Sequence, residues 1–235
     1  GFGPIDIIKV DEGIGSLTVS DFNGDGQNDM AVVNNQRSRI ELFLRRREPK
    51  EPSQPQPPDA AEINRLSANP NFTPSPVLIT VRPANLVAGD YNADGKTDLA
   101  FYGDPAGLYV LHQDPAEDEE LRWQPLEHIR LDDGLSRPEC LRAGDLNGDG
   151  LDDLALASEN GVYLLLQDAQ GHLEAPRLLP AEGEIQQIRI GRFNDDPHTD
   201  LLIVTADPER PVAVRFGYGK GDFSPLIRYQ CDPPF

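Results

Sequence analysis

Residues 21–29 read Asp21-Phe22-Asn23-Gly24-Asp25-Gly26-Gln27-Asn28-Asp29, and the pattern returns as Asp90-Tyr91-Asn92-Ala93-Asp94-Gly95-Lys96-Thr97-Asp98 and as Asp145-Leu146-Asn147-Gly148-Asp149-Gly150-Leu151-Asp152-Asp153. In each copy Asp or Asn stands at positions one, three, five and nine, and glycine stands at position six. Calcium prefers about six to eight oxygen ligands, and alternate acidic residues turned by a glycine are typical of a loop that wraps one ion. The pattern therefore predicts three calcium-binding loops.

The predicted ligands are the side chains at positions one, three, five and nine and the main-chain carbonyl at position seven. Position seven holds Gln27, Lys96 and Leu151, which share no side-chain chemistry, as expected where only a backbone oxygen binds. A dense, all-oxygen ligand set favours Ca2+ over Mg2+. The predicted set is Asp21, Asn23, Asp25, Gln27, Asp29, Asp90, Asn92, Asp94, Lys96, Asp98, Asp145, Asn147, Asp149, Leu151 and Asp153.

Two simpler interpretations of these loops fit less well. Asp, Asn and Gly favour turns in general. However, the same four acceptors occur in register in three copies, and they are so close together that their charges would repel without a cation. An EF-hand needs a glutamate at position twelve and a helix after the loop, whereas position twelve here is Val32, Phe101 or Leu156. Each loop is followed by a short apolar run that is typical of a strand.

A fourth copy, residues 192–200, keeps the spacing of the pattern but changes residues at two of its positions. Arg192 replaces the first carboxylate, and Pro197 stands at position six, where proline cannot adopt a positive φ. We expect this loop to be free of metal. We also expect the Arg192 guanidinium to take the place of the cation by pairing with Asp196 or Asp200.

The loops begin at residues 21, 90, 145 and 192, and each belongs to a repeat with four predicted strands. Four short antiparallel strands per repeat predict the blades of an all-β propeller. The first strands are expected at 17–20, 86–89, 141–144 and 188–191, and the second at 30–33, 99–102, 154–157 and 201–204. The third are expected at 40–44, 108–111, 162–166 and 212–216, and the fourth near 77–82, 126–131, 173–179 and 223–230.

The loop pattern, the apolar strand after it and the stretch Gly219-Lys220-Gly221-Asp222-Phe223 resemble FG-GAP repeats, also called VCBS-type repeats. This family forms the blades of integrin α-subunit propellers. The resemblance implies structural calcium and a role in binding a protein or a glycan, as in cell adhesion. It leaves two alternatives open: an accessory or catalytic propeller of a secreted polysaccharide-degrading enzyme, and a purely structural repeat of a large surface protein.

The whole chain, residues 1–235, is interpreted as one propeller segment. Because family members commonly have about seven blades, we expect an arc of a larger propeller, continued by further blades of a parent chain. A leading strand at Ile5 to Val10 would belong to a preceding blade; a four-bladed ring is the alternative. The expected blades span about 11–82, with an insertion at about 45–75, and about 83–132, 138–180 and 184–230.

The composition limits the class of partner and the compartment. With 40 acidic and 21 basic residues the formal net charge is −19, which argues against nucleic acid and anionic membranes as partners. No stretch has the length and hydropathy of a membrane-spanning helix. Weak calcium sites fill only where calcium is abundant, so we expect an extracellular or periplasmic location, secreted or on the cell surface.

Two further features leave alternatives open. Cys140 and Cys231 are interpreted as unpaired buried thiols in preference to a disulfide, which would need a suitable geometry across neighbouring blades. The insertion at about 45–75 is rich in proline and predicts an extended surface loop, either a recognition arm or an excursion without a role.

Nothing in the sequence has the pattern of a catalytic site. There is no Gly-x-Ser-x-Gly, His-Glu-x-x-His or Cys-x-x-Cys motif, and the four histidines occur singly. The acidic residues in the loops are committed to metal. Trp123, Tyr109 and Tyr163 are candidates for a sugar-binding cleft, although strand packing explains the two tyrosines equally well. We therefore expect a binding role more than an enzymatic one.

Overall fold

Four antiparallel sheets, one for each sequence repeat, make up most of the regular structure. The structure, a computed structural model, describes residues 7–8, 10, 14–48, 69–114 and 121–230. Each sheet places its strands side by side in chain order, with the first strand at one edge and the last strand at the other. The expected all-β class and the four-stranded blades of a β-propeller are confirmed.

The sheets of repeats 1 and 2 differ mainly at their first strands. Repeat 1 has β1 (Ile14–Ser20), β2 (Asp29–Asn34), β3 (Arg39–Arg45) and β4 (Phe72–Leu78). Repeat 2 has β5 (Arg82–Pro83), β6 (Val87–Gly89), β7 (Asp98–Asp104), β8 (Gly107–Leu111) and β9 (Glu127–Ile129). The first strand predicted at 86–89 is β6, and β5 is an additional short strand that also pairs with β7.

Repeats 3 and 4 follow the same plan. A short 3-10 helix, Pro138–Cys140, leads into β10 (Leu141–Gly144), β11 (Asp153–Ser158), β12 (Gly161–Leu165) and β13 (Arg177–Pro180). Repeat 4 has β14 (Ile185–Gly191), β15 (Asp200–Thr205), β16 (Val212–Arg215) and β19 (Ile227–Tyr229), with a small hairpin of β17 (Gly217–Gly219) and β18 (Asp222–Phe223) before the last strand.

The fourth strand of repeat 1 is where the prediction was wrong. It was expected near 77–82, and it begins at Phe72 and ends at Leu78. The proline-rich insertion was expected to reach about residue 75, but β4 contains Pro74 and Pro76 and is an edge strand, where a missing N–H costs no ladder hydrogen bond. The insertion therefore ends before Phe72, and its proline-rich part lies in 49–68, outside the described residues. Residues 5, 6 and 9 of the expected leading strand also lie outside the described residues.

Neighbouring sheets pack face to face, and this explains why residues 99–102, in the middle of β7, are all apolar or aromatic. Leu99 and Phe101 pack in the core shared with repeat 1, whereas Ala100 and Tyr102 pack in the core shared with repeat 3. Successive side chains of a strand point to opposite faces, so a strand between two neighbours is buried on both sides. A third core of the same kind joins repeats 3 and 4.

The first strands of the four sheets lie next to one another in chain order. β1 contacts β6, β6 contacts β10, and β10 contacts β14. The first strands thus form the inner edge of the arc. The outward face of repeat 1 carries an apolar groove lined by Ile14, Leu17, Met30, Val32 and Phe43 together with three other apolar residues.

Cys140 lies at the start of repeat 3 and is fully buried. It is a free thiol whose Sγ donates to the Gln186 carbonyl at 3.5 Å. Burial, more than the nearby charges, raises the pKa of this thiol to about 11. Cys231 lies outside the described residues. In the described part of the chain no helix has the length and apolar character to cross a membrane.

Candidate metal centres

Each of the three acidic stretches connects the first strand of its sheet to the second. Loop 1 (residues 21–29), loop 2 (90–98) and loop 3 (145–153) each begin at the residue directly after the first strand of their sheet. In each, position nine is the first residue of the second strand. The repeat therefore places the three loops at the same end of three consecutive blades.

A left-handed backbone at two positions gives the loops their shape. Gly26, at position six of loop 1, has φ 83°, and the glycines at position six of loops 2 and 3 have φ 81° and 87°. Position four is also left-handed, with Gly24 at 70° and, in loop 2, Ala93 at 57°. Glycine adopts this region without steric cost, which explains its presence at position six.

These turns aim backbone N–H groups at the carboxylate of position one. Asp21 accepts hydrogen bonds from the N–H of Asp25 at 3.1 Å and of Gly26 at 2.7 Å. Asp90 in loop 2 and Asp145 in loop 3 accept the equivalent pair. The position-one side chain is thereby fixed against the middle of its loop in all three copies.

Positions three, five and seven are joined by a second set of contacts. In loop 1 the Asn23 amide donates to the Asp25 carboxylate at 3.3 Å, and Asp25 also accepts the N–H of Gln27 at 2.8 Å. The same contacts recur in loops 2 and 3, where position seven is Lys96 or Leu151. Only the backbone of position seven takes part, which explains why its side chain varies.

The carboxylate at position nine has a structural role that the sequence did not reveal. Asp29 is fully buried and accepts the N–H of Phe22 at 3.0 Å and of Arg45 at 2.6 Å. It therefore joins the start of its loop to the end of the third strand. Asp98 and Asp153 make the same two contacts in repeats 2 and 3.

The acidic side chains of a loop lie close enough to affect one another. The pKa of Asp153 is raised to about 6, first by burial and then by the carboxylates of Asp149 and Asp145, against two backbone hydrogen bonds that lower it. The pKa of Asp29 is raised in the same way. Burial and neighbouring negative charge both disfavour the ionised form, and a bound cation would reverse this effect.

The donor set of the loops fits a hard divalent cation. Each loop offers three carboxylates, one amide oxygen and one backbone carbonyl, the ligand types that calcium takes. In the described residues no three acidic, His or Cys side chains converge closely enough to ligate an ion as they stand. The oxygens accept N–H groups instead, and since each carboxylate oxygen has more than one acceptor site, capacity for a ligand remains.

His112 touches one of these carboxylates. Its Nδ1 lies 2.9 Å from Asp98 Oδ2, and its Nε2 lies 3.1 Å from Glu127 Oε2. The hydrogen bond to Asp98 is the main cause that raises the pKa of His112, with a smaller contribution from Glu127. Sequence reasoning missed this contact, because His112 belongs to no motif.

The fourth loop, residues 192–200, keeps only part of this geometry. None of its residues has the positive φ found at positions four and six of the other loops. Asp200 still accepts the N–H of Phe193 at 2.7 Å and of Gly217 at 2.9 Å. The expected pairing of Arg192 is absent: among the described residues, no ion pair joins it to Asp196 or Asp200, whose oxygens accept backbone N–H groups.

The aromatic residues considered for a sugar-binding cleft serve packing. Tyr109 is buried, stacks on Phe101 and His128 with ring centroids 5.7 Å and 4.6 Å away, and donates its hydroxyl to the Pro105 carbonyl. Trp123 packs against the core between repeats 1 and 2. Tyr163 is half-buried and packs against the core between repeats 2 and 3.

Comparison with known proteins identifies the repeat. A model of the FG-GAP-like repeat matches residues 21–101 and 145–203, more than half of the chain. A crystal structure of BBS1N in complex with ARL6DN is similar over 93% of this chain and 54% of that chain, with a TM-score of 0.51 and 12% identity. This similarity shows the fold alone, and the chain spans about half the length of that protein.

Two other solved structures have lower similarity. The Vibrio cholerae biofilm matrix protein Bap1 aligns with 92% of this chain and 39% of its own, at a TM-score of 0.37 and 13% identity. The Tc holotoxin pore of Photorhabdus luminescens aligns with 93% of this chain and 12% of its own, at a TM-score of 0.33 and 13% identity. No protein with a curated description matches the sequence.

Proposed function

This chain belongs to the FG-GAP-like repeat family, and from that premise we propose that it is a calcium-binding propeller module of an extracellular protein. Calcium held in loops 1, 2 and 3 stabilises the blades. The module binds a protein or glycan ligand, as in adhesion.

One observation carries the calcium assignment: three loops repeat the same arrangement of five oxygen donors on the same backbone. In loop 1 these donors are the side chains of Asp21, Asn23, Asp25 and Asp29 and the carbonyl of Gln27. Positions four and six are left-handed in all three loops, so the donors sit on the same backbone shape each time. Loop 4, which is expected to be free of metal, lacks the first of these carboxylates.

The ion would act on structure more than on chemistry. When bound, calcium supplies two positive charges next to carboxylates that otherwise raise one another's pKa. The chain's own residues fix the loop, since position one holds the N–H groups of positions five and six, and position nine anchors the loop to the third strand. Binding to the folded state alone then adds to stability by mass action.

The proposed location and ligand class rest on the type of calcium loop and on the charge of the surface. Loops of this kind in extracellular modules bind calcium at the concentrations found outside cells. The acidic surface left after three ions bind disfavours nucleic acid. The sequence carries none of the Gly-x-Ser-x-Gly, His-Glu-x-x-His or Cys-x-x-Cys motifs, and for this reason a binding role is proposed.

Asp25→Ala tests the calcium assignment, with Asp196→Ala as a matched control at the same position of loop 4. We expect wild-type protein to lose thermal stability on chelation of calcium. With free calcium at about 100 times Kd, each site contributes about 2.7 kcal/mol. Asp25→Ala should lower the calcium stoichiometry by one site, and Asp196→Ala should leave it unchanged. Equal melting temperatures with calcium and with chelator would contradict the proposal.

A further inference from the structure

Loops 1 and 2 are each held by the repeat that follows them in the chain. The Gln113 side chain, from repeat 2, donates through Nε2 to the Phe22 carbonyl of loop 1 at 2.8 Å. Thr97, also from repeat 2, donates its hydroxyl to the Asp21 carbonyl at 2.8 Å. Positions one and two of loop 1 are therefore bound from outside the loop.

Loop 2 has the same kind of support from repeat 3. Gln167 Nε2 donates to the Asp90 carbonyl at 2.8 Å. Asp152, at position eight of loop 3, accepts the N–H of Asp90 at 2.9 Å. Thr97 also stands at position eight of its own loop, so the two support residues occupy equivalent places in consecutive repeats.

Gln113 and Gln167 each connect two loops. Both are buried, and both lie two residues after the third strand of their sheet. Gln113 gives its backbone N–H to Asp98 at 2.7 Å, and Gln167 gives its N–H to Asp153 at 2.7 Å. One residue thus binds the position-nine carboxylate of its own repeat with its backbone and the preceding loop with its side chain.

A turn of the following repeat also covers position three. In repeat 3 the backbone of Gly171 lies so close to loop 2 that a Cβ there would overlap the Asn92 carbonyl oxygen. In repeat 4 the N–H of Lys220 donates to the Asn147 carbonyl of loop 3 at 2.6 Å. Loop 3 therefore has backbone support from repeat 4. Gly217 lies two residues after the third strand of repeat 4, where repeats 2 and 3 have Gln113 and Gln167, and it offers no side chain to loop 3.

The fourth loop lacks this cover among the described residues. Its position-two residue, Phe193, is 43% exposed, whereas Phe22, Tyr91 and Leu146 at the same position are 1%, 1% and 2% exposed. Position two is thus buried in the three loops on which a following repeat packs.

We propose that Gln113 and Gln167 are positioning residues for the cation loops of the preceding repeats. Each holds the carbonyl of position one or two, and so fixes the loop in the shape that presents its oxygens to the ion. The metal affinity of a loop is then set partly by the next repeat. This inference rests on the proposed calcium function, although the restraint on the loop exists without metal.

Gln167→Met tests the inference at loop 2, because methionine keeps the size and the backbone N–H but removes the side-chain donor. Gln186→Met is the matched control, since Gln186 bonds through Nε2 to Glu184 within its own repeat. Supporting residues around metal ligands typically contribute about 10-fold to 100-fold in affinity. We expect calorimetry to show one of three calcium sites weakened about 10-fold by Gln167→Met and none by the control.

Amide hydrogen exchange in chelator provides a readout that does not need the metal. We expect Gln167→Met to speed exchange in residues 90–98 and to leave 21–29 and 145–153 unchanged, because its backbone contact to Asp153 remains. Unchanged exchange in residues 90–98 would overturn the inference, whether or not calcium binds. If wild-type protein binds no calcium but loop 2 exchanges faster in the variant, the proposed function fails and the positioning role stands.

A second pair of variants tests the same inference independently, in case Gln167→Met does not fold. Gly171→Ala and Gly183→Ala both place alanine at a positive φ, 81° and 94°. Only Gly171→Ala pushes on loop 2, since the nearest atom to a Cβ at Gly183 is 3.7 Å away on Thr205. We expect faster exchange in residues 90–98 for Gly171→Ala alone. The same exchange pattern in both variants would overturn the role of the following repeat.

Discussion

Individual carboxylates of one loop have different surroundings, and this separates folding from metal binding. Asp25 is half-buried and bonds within its loop, whereas Asp29 is fully buried and bonds to the N–H of Phe22 and of Arg45. The loop pattern gave both residues the same expected role. The second role of position nine was not predictable, because its partners are backbone groups that the sequence does not mark.

Asp200→Ala isolates the folding role, since loop 4 lacks the first carboxylate. The substitution leaves two backbone N–H groups, of Phe193 and Gly217, without their acceptor. We expect a loss of about 3 kcal/mol in the free energy of unfolding, because each unsatisfied buried donor costs about 1 to 3 kcal/mol. Urea unfolding in calcium and in chelator should give the same loss.

Asp195→Ala is the control for that experiment, because Asp195 is exposed in the same loop. It should change the unfolding free energy by no more than about 0.5 kcal/mol. A loss for Asp200→Ala as small as that of the control would show that position nine contributes little to folding without metal.

At the scale of strands and loops, the sequence predicted what is local and missed what depends on neighbours. The second and third strands follow from apolar runs, and the left-handed turns follow from the glycines at position six. The error at β4 arose because proline is tolerated at a sheet edge, and edge position is a property of the sheet. The contacts of Gln113 and Gln167 join residues far apart in the chain, so no local pattern marks them.

Gly26→Pro converts position six of loop 1 to the residue found in loop 4. Proline cannot adopt φ 83°, and it removes the N–H that Gly26 donates to Asp21. We expect the calcium stoichiometry to fall by one site. Gly24→Ala is the control, because loop 2 already holds Ala93 with φ 57° at that position. Full calcium binding by Gly26→Pro would show that the left-handed turn is not needed.

At the scale of the whole molecule, the repeat explains how the four sheets pack on one another and where part of the negative charge lies. The sheets of repeats 2 and 3 each share one apolar core with the sheet before and another with the sheet after. The net charge of −19 is concentrated in part in the loops, at one end of three consecutive blades. Three calcium ions would offset about six of these charges.

The charge predicts how salt acts on the protein without calcium. Exposed charges farther apart than the Debye length, about 10 Å at 0.1 M salt, are largely screened. We expect added sodium chloride to raise the melting temperature of the chelated protein more than that of the calcium-loaded protein, because repulsion between the loops is larger without the ions. An equal response of the two forms to salt would show that loop repulsion contributes little to stability.

Calorimetric titration of the chelator-treated 235-residue chain with calcium tests the central claim most directly. The account predicts binding at three sites, one for each of loops 1, 2 and 3, and none at residues 192–200. A crystal grown with calcium should then show anomalous scattering peaks in the same three loops. Absence of binding by the folded protein, or a peak within the fourth loop, would contradict the account.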